Sequence, residues 1–352
     1  MRKYYLWILG LAIITSCNND VRKSAYYVPG TISGEARKEL ASFAFKDTID
    51  GGYPSPDDTV LWRKYWQYNE DVWMPFNDTL RMLFKPHIID TVMGGVPVLD
   101  VRPDGWKDNG KILIYIHGGA YTLFSAYTMM GGVLPIADVT GLRVISINYT
   151  NPPRLKYNQI LEQVISVVSA ILKMGYEMSD IGIYGDSAGG GLSAGSVLKM
   201  RDEGMGMPAV VVLISPWSDI TNNGDTYRTL MGQDPIIEYN NSLRPSSLAY
   251  APPEMHKHPY VSPVYGDYTK GFPPTLIQGG TKEIFLSNFV RQYQVIDQAG
   301  IPVKLDLYEG MWHVFQEINY DLPESKIAHA KFRDWVYQYM EIDSTKVTKK
   351  EN

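Results

Sequence analysis

The sequence predicts an α/β fold: a mostly parallel sheet with helices on both faces. Three observations carry this. Short apolar strand segments alternate with longer segments of helical period from residue 111 onward, the pattern of βα units. The inner strands, such as KILIYI at Lys111–Ile116 and AVVVLI at Ala209–Ile214, are apolar without alternation, as strands buried on both faces are. Only one stretch, Ser218 to Pro263, breaks the rhythm; it is proline-rich and carries no strand pattern. An insertion of that length between two sheet strands is commonly functional, for example a lid.

In chain order, helices are expected near Ser33–Phe45 and Thr59–Tyr68. Ser33 has the look of a helix cap, but Glu35 falls at the wrong spacing for a capping box. Leu83–Val92 and Val96–Val101 read as two strands joined by Gly94-Gly95, a hairpin signal. Strands follow at Lys111–Ile116, Leu142–Tyr149, Ile181–Tyr184, Ala209–Ile214, Thr275–Gln278 and Val303–Leu307. The intervening helices are Ile160–Met174, Gly190–Glu203 and Leu286–Ala299, and Glu324–Met340 closes the chain.

Composition bounds the function. The chain has 352 residues, 45% of them hydrophobic, enough for a large core. Its net charge of −5, with no long basic run, gives nucleic acid no electrostatic footprint. The 8 Trp and 25 Tyr suit an apolar cleft and an ordinary core equally. The single cysteine, Cys17, excludes an internal disulfide and a cysteine-based metal site. It follows Met1-Arg2-Lys3, the apolar run Tyr4–Ile14, and Thr15-Ser16. That run is too short to span a bilayer and fits a signal-peptide core. The ending resembles a bacterial lipobox, with Ile where Leu is commoner. The expectation is an exported chain, lipidated at Cys17 and held at a membrane surface.

The stretch IYGDSAGGGLSAG carries the chemistry. Gly185, Asp186, Ser187, Ala188 and Gly189 form G-x-S-x-G between a strand and a helix, at the carboxyl edge where parallel sheets hold ligands. Small neighbours relieve collisions around a strained serine, and the N–H of Ala188 points to where an oxyanion would form. Gly189, Gly191 and Ala194 also fit a dinucleotide loop, but the glycines start too far past the strand and no acidic residue ends the next one. A second element, His117-Gly118-Gly119-Ala120, directly follows the strand Lys111–Ile116; its glycines let backbone N–H groups turn into a site.

With HGGA, YGDSAGGGLS, ISPWSDIT, PPTLIQGGTKEIFLSN and GMWHVF, the chain resembles the hormone-sensitive-lipase-like family of α/β-hydrolases, in its bacterial carboxylesterase branch. The resemblance runs from about Gly30 to the last helix. It implies an eight-stranded, mostly parallel sheet with a helical cap built from an N-terminal segment and an insertion. The expected organisation is a signal peptide at 1–16, a tether and cap segment at 17–81, core at 82–217 and 264–345, a cap insertion at 218–263, and a tail at 346–352.

On such a fold the triad runs serine, acid, histidine along the chain. Of six histidines only His313 and His329 come late enough; His329 lies within the last helix and reads as packing, so His313 is the base. The acid should follow the strand Thr275–Gln278, which points to Glu283; relatives carry Asp here or one place earlier, where this chain has Lys282. Asp297, late in a helix, and Asp306, inside a strand, fit less well. The expected oxyanion donors are Gly118, Gly119 and Ala188, with Ala120 as a further candidate. Ala120 replaces the family's usual third glycine, a change tolerated at an ordinary backbone angle. TNPPRLKYNQ, after the second parallel strand, departs from the family's Arg-Leu-Ala-Pro-Glu run and bears on loop packing.

Together these imply a serine carboxylesterase needing no metal or cofactor, and the resemblance, through its cap, implies small to medium acyl esters. Tyr121, Trp217, Phe43 and Tyr250 are candidates for the pocket wall, as is Phe45, with packing the competing role for each. Within the class, a lactone hydrolase or a sugar or steryl deacetylase is the alternative. Outside it, the alternative is an inactive hydrolase-fold binding protein.

Overall fold

The computed structural model describes residues 26–43 and 53–343. Cys17 and its expected signal segment, Phe45, and the 346–352 tail lie outside the described residues.

Eight strands form one sheet: β1 (His87–Met93), β2 (Val96–Arg102), β3 (Ile112–Ile116), β4 (Arg143–Ile147), β5 (Ile181–Asp186), β6 (Val210–Ile214), β7 (Thr275–Gly280) and β8 (Val303–Tyr308). Their spatial order is β1-β2-β4-β3-β5-β6-β7-β8. The β1–β2 hairpin turns at Gly94 and Gly95, both with positive φ. β2 pairs antiparallel with β4, and every later pairing is parallel.

Alternating side chains of the inner strands enter two cores, as the two-residue strand period requires. Ile112, Ile114 and Ile116 face α4 (Tyr157–Lys173), α5 (Ser187–Asp202) and α8 (Leu286–Gln298). Leu113 and Tyr115 face α3 (Leu134–Thr140), α10 (Pro323–Tyr339) and Leu80 of α2 (Thr59–Phe84). Arg143 of β4 clamps Asp100 of β2 with two bonds, Nε–Oδ1 2.8 Å and Nη2–Oδ2 3.0 Å, pinning the antiparallel strands to the parallel ones.

Two elements differ from expectation. α2 does not stop near Tyr68 but continues to Phe84, ending at Lys85 in the left-handed region, so β1 starts at His87 rather than Leu83. Pro75 inside it is tolerated beside Asn77, whose buried side chain bonds Trp73 O, Thr128 O and the N–H of Met130. α5 begins at Ser187 itself, with no turn after β5. The first helix, α1 (Gly34–Ser42), has Ser33 as its N-cap. The carboxylate missing from its capping box comes from far along the chain: Glu324 accepts from Ser33 N at 2.8 Å and Oγ at 2.9 Å.

Residues 218–263 contain α6 (Thr226–Thr229), a π-turn at Tyr239–Leu243 and α7 (Arg244–Tyr250), and no strand. α7 lies beside α2 over the loop after β3: Trp62, Leu123 and Ala249 form one buried cluster.

Candidate active site

The parallel registers Ile116↔Gly185 and Asp186↔Ile214 bring the ends of β3, β5 and β6 level. The loop after β3 therefore lies beside Ser187. Ser187 has φ +52°, the strained left-handed geometry of a strand that turns directly into a helix. The glycines around it are required by close approach. A Cβ on Gly185 would lie 2.5 Å from the Gly189 carbonyl oxygen, and one on Gly189 would lie 2.0 Å from that of Ile116.

Ser187, His313 and Glu283 meet. His313 Nε2 is 2.8 Å from Ser187 Oγ, and its Nδ1 is 2.7 Å from Glu283 Oε2. All three are buried. Glu283 stands just past β7 and His313 past β8, at the same sheet edge. Burial pushes the Glu283 carboxyl upward, and the His313 hydrogen bond opposes that. The second Glu283 oxygen accepts from Gly280 N at 2.5 Å and from Ser215 Oγ at 2.8 Å. Ser215 Oγ in turn accepts from Val314 N at 3.1 Å, tying the acid to the histidine loop. Sequence reasoning passed over Ser215; its position one residue past β6, at the ligand edge, is the signal that was there to use. The rival acids are engaged elsewhere: Asp306 accepts from Gln278, Tyr308 and Lys331, and Asp297 sits late in α8. His329 is buried on α10, and burial lowers it to about 4.

The oxyanion loop needs correction at two residues. Gly118 N–H is not free to face a substrate: it donates to Asp186 Oδ1 at 2.8 Å. Asp186 also accepts from Tyr115 Oη at 2.6 Å, and burial raises it to about 6. The N–H groups of Gly119, Ala120 and Ala188 have no hydrogen-bond partner among the described residues. Ala120 does not have an ordinary backbone angle; its φ is +50°, next to Gly119 at +95° and Tyr121 at +64°. The loop is held from behind. Tyr149 Oη donates to His117 O at 3.0 Å, and its ring stacks on His117 at 4.1 Å. Burial lowers His117 to about 4, so the ring is neutral, and its Nδ1 lies 2.9 Å from Gly118 O.

The candidate wall residues pack rather than line an open cleft. Tyr121, Trp217 and Tyr250 have no exposed surface; Tyr121 stacks on Tyr250 at 3.7 Å and leans on Trp217 at 5.5 Å. Phe43 meets Trp312 edge-on at 5.2 Å. A cavity of about 200 Å³ lies within the insertion, lined by Tyr227, Met231, Ile237 and Tyr239 together with the polar Asn222, Arg228, Glu238 and Asn240, and reaching Ile284; none of Ser187, His313 and Glu283 lines it. Among the described residues no cluster of His, Cys, Asp and Glu could hold a metal, and no helix is long and apolar enough to cross a membrane.

Residues 113–317 match the family model described as alpha/beta hydrolase fold. The chain belongs to that family. As an α/β-hydrolase it is similar to an acetyl-hydrolase of Streptomyces hygroscopicus, 31% identical over 65% of this chain and 75% of the relative. An esterase of Acinetobacter venetianus is 32% identical over 64% and 74%. Among solved structures, one esterase superposes with TM-score 0.83 and 25% identity, covering 95% of this α/β-hydrolase and 98% of the other chain. An esterase from the bacterial hormone-sensitive lipase family gives TM-score 0.71 at 27% identity over 77% and 92%.

Proposed function

We propose that the chain is a serine carboxylesterase acting on small to medium acyl esters. The observation that carries this is the unbroken hydrogen-bond chain from Ser187 through His313 to Glu283. In this reading His313 Nε2 takes the Ser187 proton as Oγ bonds to the ester carbonyl carbon. The carbonyl oxygen gains the negative charge and is met by the N–H groups of Gly119, Ala120 and Ala188. His313 then gives its proton to the departing alcohol, leaving an acyl-serine. Water, deprotonated by His313, attacks the acyl carbon, and the proton returns to Ser187 as the acid leaves. Glu283 accepts the Nδ1–H bond throughout and stabilises the imidazolium.

The acetyl-hydrolase relative favours one finer reading, removal of acetyl groups on the same site. A panel of p-nitrophenyl esters from acetate to laurate tests the class and the chain length. Ser187→Ala should lower kcat by about 10⁴-fold or more. No turnover at any length, or full activity in Ser187→Ala, overturns the proposal. Glu283→Gln should cost far more than Asp306→Asn, and the reverse order would reassign the acid.

From the sequence alone we also propose export and lipidation at Cys17. Radiolabelled fatty acid should enter the wild type and not Cys17→Ala; equal labelling of both removes the proposal.

A further inference from the structure

The catalytic pair His313–Glu283 stands on two loops, 280–283 and 310–314. On their inner side they are knitted together by backbone: Lys282 N donates to Met311 O at 3.1 Å, and Thr281 N to Tyr308 O at 3.0 Å. Gly310 N donates to Thr281 Oγ1 at 2.9 Å. Their outer side is covered by a distant part of the chain, residues 26–43. Pro29 and Ile32 press so closely on Gly310 that a Cβ there would lie 2.8 Å from one and 3.0 Å from the other. Ala36 and Leu40, on the inner face of α1, are fully buried with Met311, Trp312 and Phe315, the residues on either side of His313. Phe43 closes the row against Trp312.

The same segment reaches the acid's loop. Lys282 Nζ lies 5.9 Å from the centre of the Tyr27 ring. Tyr26 is raised by burial and, to a lesser extent, by the charge of Asp234. Asp234 Oδ2 is the acceptor for the N–H of Ile284, next to Glu283, at 3.1 Å. The segment is fixed to α10 by the Ser33–Glu324 pair of bonds.

We infer that residues 26–43 act as a strap that positions the catalytic pair, with Ile32, Leu40 and Phe43 as positioning residues acting through Met311 and Trp312. The inference rests on the triad reading above. The physical reason is that a 2.7 Å bond between two buried groups holds only while its loops stay packed and water stays out. The strap supplies packing on the one side that the backbone bonds leave open. It touches the flanks of His313, not the serine, so it should set how well the proton moves rather than how well the ester binds.

The test is kinetic. Phe43→Ala, at the end of α1 and half-buried, removes the edge contact with Trp312. It should lower kcat by about ten- to a hundredfold with KM held within about twofold, and Phe43→Leu should restore most of the rate. Ser33→Ala, which deletes one bond to Glu324 and the cap bond from Ala36 N, should show the same split at smaller size, so the inference remains refutable if Phe43→Ala fails to fold. Unchanged kcat in both folded variants overturns it. So does a rise in KM at constant kcat, which would make Phe43 a wall of the ester pocket. Ser187→Ala run alongside separates the two levels. Activity surviving there overturns the catalytic reading and the strap together, whereas a dead Ser187→Ala beside a fully active Phe43→Ala overturns the strap alone.

Discussion

Within electrostatic reach of Asp186, the residue before Ser187, lies an acid that the proposed chemistry does not use. Glu317 is 3% exposed, and neither of its oxygens has a hydrogen-bond partner among the described residues. Burial, then the charge of Asp186, pushes its pKa well above the ordinary carboxylate range. An acid whose folded-state pKa is raised stabilises the fold fully below its unfolded pKa, about 4.3, and loses that contribution as pH rises through the folded value. Glu317→Gln keeps the shape and removes the titration. The variant's melting temperature should therefore gain on the wild type's as pH rises above about 4.3; an offset that stays constant with pH would refute this. Asp186 is raised as well, to about 6, yet its Oδ1 accepts from both Tyr115 and Gly118. Here sequence and structure part. Ser187 and His313 were legible because a strained elbow and a loop past the last strand leave local marks in a chain. The engagement of the Gly118 N–H by Asp186 left none, since it depends on β3 and β5 ending side by side.

At the scale of elements, periodicity read the sheet well and the cap poorly. Buried strands and two-sided helices such as α4 carry their environment in their composition, because both pack into the large cores on the two faces of the sheet. α2 does not. Its exposed residues include Val60, Leu61, Tyr68, Val72 and Met82, and only Trp62, Asn77 and Leu80 are fully buried, so the apolar stripe that marks a helix is blurred. Pro75 argues for a break by local rules. What overrides it is tertiary: Asn77 bridges α2 to the 128–130 turn by accepting from Met130 N and donating to Thr128 O. Such a contact between residues about fifty positions apart cannot be read from a window of fifteen. The cap of α1 makes the same point, for the carboxylate that completes it belongs to α10. Local signals located the serine at the cap, and the fold supplied its partner.

For the whole molecule, the decisive matter is whether the cap is a separate body or part of one cooperative unit. The contacts favour one unit. Trp62 is fully buried between Leu123, just past the oxyanion loop, and Ala249 of the insertion, and its Nε1 donates to Ser55 O at 2.9 Å. Trp66 Nε1 donates to Thr122 O at 2.6 Å, Thr122 Oγ1 lies 3.0 Å from Ser246 Oγ, and Lys156 Nζ donates to Ala249 O at 2.8 Å. Both cap segments thus converge on residues 122–124, while the far end of α2 sends Leu80 into the core against the sheet. Opening the cap would expose Trp62 and leave these donors and acceptors to water, while pulling on a helix whose far end is packed in the core. Calorimetry should therefore show cap and core unfolding in a single transition. Trp62→Ala removes a large side chain from the junction and should destabilise the whole by about 3–5 kcal/mol, moving that one transition down intact. A variant in which a small early transition splits off, with the main one unmoved, would show instead that the cap folds and opens on its own.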